Sequence, residues 1–176
     1  MPRLAPLAKP YPPEAAAELA QMPADIGLFR TVAHNPRVLS RWRGGGLLDR
    51  GSITLRQREL LILRTTARLK AEYEWGVHVG FFGAKAKFSE AEIVATVHGD
   101  ASDWNAEEAV LVEMADALVD SGTVDDALWQ QAAAHYKADQ LIEIIALVGF
   151  YHLVSFTVNA TGVALEPGAP RFPAAQ

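Results

Sequence analysis

Apolar residues recur at helical spacing along most of this 176-residue chain. The clearest case is segment 55–70, whose apolar face is formed by Leu60, Leu61, Leu63 and Ala67. No stretch alternates convincingly at the two-residue period of a β-strand. The sequence therefore predicts an all-α, single-domain bundle of about seven or eight helices.

Capping and stop signals set the predicted helix ends. Ser89 and Glu92 form a capping box, and Gly122 and Gly162 follow the last apolar turns of two helices. The predicted helices cover 13–22, 25–48 with a break at Asn35-Pro36, 55–70, 72–86, 89–99, 105–122, 125–138 and 140–161.

The chain length suits one domain. Residues 1–13 and 166–176 are rich in proline and are interpreted as an extended arm and tail, on either side of a helical domain at 14–165. Such arms either lie across a neighbouring subunit or fray, and the sequence alone leaves both interpretations open.

Cysteine is absent from the sequence, which excludes disulfides, thiolate ligands and cysteine nucleophiles together. This absence, and an N-terminus without a signal-like apolar core, favour a cytoplasmic location. The net charge of −5 does not favour nucleic-acid binding. The basic stretch 37–43 is either a phosphate patch or, as we favour, a solvated helix face or an ion-paired interface.

The most apolar segment, 141–163, raises the question of a membrane span. It contains Glu143, His152 and Asn159, which a helix facing lipid rarely tolerates. We therefore predict a buried helix and no membrane contact.

The strongest candidate site combines Glu59, Glu74 and His78. Glu74 and His78 are one helical turn apart, so both side chains leave the same face. If the predicted helices 55–70 and 72–86 pack antiparallel through the turn near Lys70, Glu59 lies opposite Glu74 and His78. A carboxylate beside an imidazole sets its tautomer and raises its pKa, which suits proton transfer near neutral pH.

Other interpretations of these residues stay open. Glu74 and His78 at this spacing also form ordinary surface pairs, and Glu59 has Arg56 and Arg58 as neighbours for an ion pair. Two carboxylates and one histidine would also suit a divalent metal, which we favour less than proton transfer.

Four further residues are candidates for substrate binding. Tyr73 and Trp75 flank Glu74 and would form either an aromatic pocket wall or part of the core or a subunit contact. His152 and Asn159 are seven residues apart on one helix and would either line a pocket or form a core polar network.

The pattern from Thr54 to Phe88 resembles the carboxymuconolactone decarboxylase family, which also contains the alkylhydroperoxidase D-like proteins. The peroxidase branch carries Cys-x-x-Cys-x-x-x-His after a proton-relay Glu. On this sequence the relay Glu falls on Glu59, the His on His78, and the two cysteines on Ala71 and Glu74. The resemblance therefore excludes thiol peroxide reduction, because both thiols are missing.

The decarboxylase branch works without thiols and is similar here, with an acidic residue one turn before its His. The resemblance implies an all-α family fold, a homo-oligomer (trimer or hexamer), no cofactor, and a small unsaturated or lactone carboxylic acid as the substrate of a lyase or isomerase. The chain departs from the minimal family domain by a longer N-terminal segment that includes Trp42. The alternatives are a catalytically silent oligomeric binding protein and a metal-dependent enzyme using Glu59, Glu74 and His78.

Overall fold

The computed structural model describes residues 2–174, which contain nine α-helices and no β-strand. The all-α prediction is confirmed. The helices are α1 (Pro13–Leu19), α2 (Gly27–Val32), α3 (Pro36–Trp42), α4 (Leu55–Arg68), α5 (Glu72–His78), α6 (Glu90–His98), α7 (Ala106–Ser121), α8 (Asp126–His135) and α9 (Ala138–Thr161). A π-helical turn (Val79–Gly83) follows α5, and a 3-10 turn (Ala101–Asp103) follows α6.

The number of helices exceeds the prediction because the region 25–48 forms two separate helices, α2 and α3. The side chain of Asn35 accepts a hydrogen bond from the backbone N–H of Val38 at 3.2 Å, and Pro36 occupies the first helical position. Both features begin a new helix.

The segment predicted as one helix at 72–86 also differs. It is α-helical only to His78 and then widens into the π-turn Val79–Gly83. Gly80 and Gly83 lie in this turn, and glycine lowers the preference for regular α-helix. π-turns are frequent at functional sites, and this one begins at the residue after His78.

Helix α4 lies at the centre of the bundle and contacts α5, α6, α7 and α9. Four successive residues, Leu60 to Leu63, have no exposed surface, so all sides of this helix are covered. Arg64 donates two hydrogen bonds to Asp116 of α7, at 2.7 and 2.6 Å. Side chains on α4 are therefore held on a well-fixed element.

A tight turn joins α4 to α5 and sets their antiparallel packing. Lys70 adopts a left-handed conformation with φ of 57°, and the N–H of Ala71 donates to the carbonyl of Thr66 at 2.8 Å. Asn159 of α9 donates to the carbonyl of Leu69 at 2.8 Å and so ties the turn to α9. Residues at similar distances from this turn face each other across the two helices.

The described part of the N-terminal arm packs on its own chain. The N–H of Arg3 donates to the carbonyl of Thr161 at 2.7 Å, and the N–H of Leu7 donates to the carbonyl of Arg30 at 3.2 Å. Residue 1 lies outside the described residues.

The C-terminal tail, described to residue 174, also packs on its own chain. The N–H of Phe172 donates to Glu72 at 3.0 Å, and the Phe172 ring meets Trp75 edge-on. Gly76 lies under the tail, where a Cβ atom would stand 2.3 Å from the carbonyl oxygen of Pro170. A glycine is therefore required at this close approach.

Helix α9 is buried on one face only. Its inward face carries Leu141, Ile144, Leu147, Val148, Tyr151, Val154, Ser155 and Val158. By length and composition alone this helix would be able to cross a membrane, yet 44% of an 18-residue apolar stretch within it is buried inside the fold. The prediction of a buried helix is correct for the inward face and wrong for the outward face, which is exposed.

Candidate functional site

Glu59, Glu74 and His78 meet at the interface of α4 and α5. Nδ1 of His78 lies 2.7 Å from Oε2 of Glu59, and its Nε2 lies 3.4 Å from Oε1 of Glu74. The predicted meeting is thus confirmed. It follows from the antiparallel turn, which brings Glu59 opposite the end of α5, and from the one-turn spacing of Glu74 and His78.

The cluster is buried and its charges alternate. Glu59 has no exposed surface, and His78 is 3% exposed. Arg58 donates to Oε1 of Glu59 through Nε at 2.9 Å and to the carbonyl of Leu48 through Nη1 at 2.8 Å. With the imidazole protonated, Arg58 and His78 balance Glu59 and Glu74, which is the condition for burying such charges.

The predicted ion pair of Glu59 is confirmed for one of its two possible partners. Arg58 pairs with Glu59, whereas Arg56 turns away and bonds Glu108 at 2.5 Å and Glu92. Arg58 belongs to the cluster that contains His78, so the ion pair and the candidate site are one arrangement.

Tyr151 is a member of the cluster that sequence reasoning missed. Its hydroxyl lies 3.1 Å from Nε2 of His78, and the two rings meet edge-on with centroids 5.1 Å apart. The available signal was helical spacing, because Tyr151 shares the inward face of α9 with Val148 and Ser155. His152 drew attention by its chemistry, but it lies about 100° further round the helix.

Burial alone would lower the pKa of His78, but the hydrogen bonds and negative charges of Glu59 and Glu74 outweigh it and raise the pKa to about 9. Burial, together with the same two carboxylates, raises the pKa of Tyr151 well above its ordinary value. Near neutral pH the cluster therefore contains an imidazolium, a neutral phenol and carboxylate acceptors. An imidazolium has a proton that it can donate.

This pKa predicts how stability depends on pH. The folded-state pKa of about 9 exceeds the unfolded value of 6.5, so the stabilisation is complete below pH 6.5 and is lost as pH rises to about 9. At 1.36 kcal/mol per pKa unit, the loss is about 3 kcal/mol. Urea unfolding at pH 6 and pH 9.5, compared between the wild type and His78→Gln, measures it. Equal pH dependence in the two proteins would contradict the assignment.

One oxygen of the cluster has no hydrogen-bond partner among the described residues. It is Oε2 of Glu74, and this carboxylate is 6% exposed. Buried polar atoms are normally hydrogen-bonded, so this oxygen can accept a bond from a ligand. It belongs to the same carboxyl group whose Oε1 faces Nε2 of His78.

The π-turn covers the cluster on one side. The Phe82 ring lies with its centroid 5.4 Å from that of His78, and the guanidinium of Arg58 lies 5.3 Å from the same ring. Phe82 is half-buried, whereas the adjacent Gly80 and Phe81 are exposed. Phe82 therefore covers the His78 ring on the side of the π-turn.

Tyr73 and Trp75 are buried but make their polar contacts away from His78. The hydroxyl of Tyr73 donates to Glu166 at 2.7 Å, and the indole N–H of Trp75 donates to Thr96 at 3.0 Å. These bonds connect α5 to the tail and to α6. The bonds agree with the interpretation that Tyr73 and Trp75 belong to the core and do not form a pocket wall.

His152 and Asn159 also lie outside the cluster. The ring of His152 packs against Phe156, with centroids 5.2 Å apart. Asn159 is exposed and bonds the turn between α4 and α5 through Leu69. The two side chains therefore have separate partners, and their seven-residue spacing does not create a shared pocket.

The geometry argues against one metal ion bound by all three predicted residues. Glu59 and Glu74 contact different ring nitrogens of His78, and these nitrogens point in divergent directions. Within residues 2–174, no group of three His, Cys, Asp or Glu side chains is arranged to hold a metal ion.

No family model and no curated protein matches this sequence. Solved structures do match its fold. An uncharacterized peroxidase-related protein from Silicibacter sp. TM1040 has a TM-score of 0.79 at 15% identity, covering 96% of this chain and 93% of that one. The alkylhydroperoxidase AhpD core of a peroxidase-related protein from Ralstonia eutropha JMP134 has a TM-score of 0.77 at 16% identity, covering 93% of each chain.

A third similar structure is the debrominase Bmp8, with a TM-score of 0.71 at 15% identity, covering 93% of this chain and 91% of that one. At these identities the likeness establishes the fold. The fold expected from the resemblance is thereby confirmed over nearly the whole chain. The protein has the alkylhydroperoxidase AhpD-like fold, and it carries Ala71 and Glu74 where the peroxidase motif would place its two cysteines.

Proposed function

We propose that this protein is a thiol-independent lyase or isomerase of the carboxymuconolactone decarboxylase type, with His78 as the proton donor. The substrate would be a small unsaturated or lactone carboxylic acid. The observation that carries the proposal is the buried imidazole held between the carboxylates of Glu59 and Glu74. This arrangement raises the pKa of His78 and fixes the direction of its Nε2–H bond.

In the proposed decarboxylation, the bond between the substrate carbon and its carboxylate breaks and CO₂ leaves. The electron pair passes into the conjugated acceptor and forms a dienolate. The imidazolium then gives its Nε2 proton to the dienolate carbon, and water returns a proton to the neutral imidazole. The net reaction releases one CO₂ and consumes one proton. In an isomerisation the same group would deliver a proton at one carbon while a carboxylate removes one at another.

Three neighbours support His78 in this scheme. Glu59 holds Nδ1, so Nε2 is the atom left for transfer. Tyr151 remains a neutral phenol and would donate a hydrogen bond to a developing oxyanion. The partnerless oxygen of Glu74 would accept a hydrogen bond from the substrate or take its proton.

The experiment that tests this proposal is a screen of lactone and muconate-like acids. Turnover is measured as CO₂ release and as a change in diene absorbance. We expect at least one acid to turn over, with activity falling as pH rises through about 9, where His78 loses its proton. If the protein converts one of these acids and His78→Ala converts it at the same rate, the proposed mechanism is wrong.

The second candidate is a catalytically silent scaffold that binds small molecules or other subunits. The observation favouring it is the closure of the cluster, since His78 is 3% exposed and Arg58 already pairs with Glu59. Absence of turnover across the screen, with acids nonetheless binding in calorimetry, would favour this candidate.

A further inference from the structure

The outward face of α9 carries a continuous apolar stripe. All of its members are exposed, with Ile142 at 66% and Phe156 at 59%. The stripe consists of Ile142, Ala146, Gly149, Leu153, Phe156 and Ala160. Successive members are alternately four and three residues apart, which is the spacing of a helix–helix seam.

Gly149 lies in the middle of this seam. Glycine lowers helix stability relative to alanine, so a mid-helix glycine needs a reason. The chain itself supplies none, because a Cβ atom built at Gly149 meets nothing within 4 Å. A second helix approaching closely from outside does supply one.

We propose that the stripe pairs with the stripe of a second copy of this chain, with the two α9 helices antiparallel about a two-fold axis at the level of Tyr151. In this register each large side chain faces a small one. The opposed pairs are Ile142 with Ala160, Phe156 with Ala146, and Leu153 with Gly149. A parallel pair in register would instead oppose Phe156 to Phe156 and Gly149 to Gly149, with clashes and gaps along the seam.

The flanks of the stripe favour a protein partner over lipid. His152 and Asn159 lie beside it, and Asp139 is exposed at the N-terminal end of the helix. A polar rim around an apolar centre is the usual anatomy of a protein interface. Polar and ionisable side chains beside an apolar stripe would be costly in a bilayer core.

The pairing constrains the assembly and its relation to the cluster. An isologous two-fold contact produces assemblies with an even number of chains, so a hexamer agrees with it and a lone trimer does not. Tyr151 projects from the opposite side of α9 at the level of the axis. The partner would thus brace the segment of α9 that holds the phenol against His78.

The first test is the mass in solution, measured by light scattering on a sizing column. We expect twice the 19.1 kDa of one chain, or the mass of a larger assembly with an even number of chains. Leu153→Glu places two like charges near the axis and should halve the mass of a dimer while leaving the helical circular dichroism unchanged. Trp129→Glu, at an exposed aromatic on α8, is the matched control and should keep the wild-type mass. A monomeric or lone trimeric wild type would overturn the proposal.

The second test fixes the register and exploits the absence of native cysteine. Residues 146 and 156 are about 15 Å apart along one helix, so a disulfide between them must join two chains. The double variant Ala146→Cys with Phe156→Cys should form a covalent dimer on oxidation. Each single variant, and the α8 control Ala133→Cys, should not. Cross-linking of Ala146→Cys alone would indicate a parallel pair, and no cross-link in the double variant would exclude the register; either result overturns the proposal.

Discussion

Replacing His78 with glutamine is expected to lower turnover of the substrate about 10²–10⁴-fold, the usual contribution of a general acid. Glutamine retains hydrogen-bonding capacity towards Glu59 but has no transferable proton at neutral pH. The loss should therefore appear in kcat, with a smaller change in KM. Steady-state kinetics on whichever acid the screen identifies measures both constants.

The matched control is His135→Gln, the same substitution at an exposed histidine of α8. It should stay within about twofold of wild type, because surface changes of this kind are nearly neutral. Circular dichroism checks that both variants remain folded. If folded His78→Gln has the kcat of the wild type, His78 is not the proton donor.

Replacing Glu59 with glutamine should destabilise the protein by about 3 kcal/mol, because removal of one partner from a buried ion pair typically costs about 3–5 kcal/mol. The change leaves the charges of Arg58 and His78 facing each other without the carboxylate between them. For a chain of this size, the melting temperature should fall by about 6–12 °C at 2–4 °C per kcal/mol. The free energy of unfolding in urea at pH 7 gives the value directly.

Glu113→Gln is the control for this measurement, since Glu113 is exposed on α7 and should change stability by less than about 0.5 kcal/mol. Adding Arg58→Met to Glu59→Gln should recover part of the loss, because it removes one of the two uncompensated charges. If Glu59→Gln is as stable as Glu113→Gln, the buried cluster does not carry the charges assigned to it.

Local geometry explains why the cluster of Glu59, Glu74 and His78 was predictable. The one-turn spacing of Glu74 and His78 is a property of any α-helix. The contact with Glu59 required in addition that the helices joined at Lys70 pack antiparallel, and the bond between Glu59 and His78 shows that they do. The helical spacing and the position of Glu59 opposite it both depend on residues that lie within about twenty positions of one another in the sequence.

The contributions of Tyr151 and Arg58 were not predictable in the same way. Tyr151 reaches His78 from a helix 73 residues further along the chain, so its contact depends on how α9 packs. The sequence offered Arg56 and Arg58 as partners for Glu59, and only the fold shows that Arg58 bonds Glu59 while Arg56 bonds Glu108. Long-range packing decides both.

The outer helix boundaries show a similar limit. Asn35 and Pro36 indicated a break, but the hydrogen bond that makes it a true helix start depends on the Asn35 rotamer. The end of α5 at His78 was missed because a π-turn preserves the apolar pattern of a helix while widening its backbone.

At neutral pH, His78 should be an imidazolium held between two carboxylates. Nitrogen-15 NMR of the histidine rings, with His78→Gln used for assignment, tests this without knowledge of the substrate. We expect both ring nitrogens of His78 to carry protons at pH 7.5 and the ring to titrate with a pKa of about 9. A neutral His78 ring at pH 7.5, with a pKa at or below its ordinary 6.5, would contradict it.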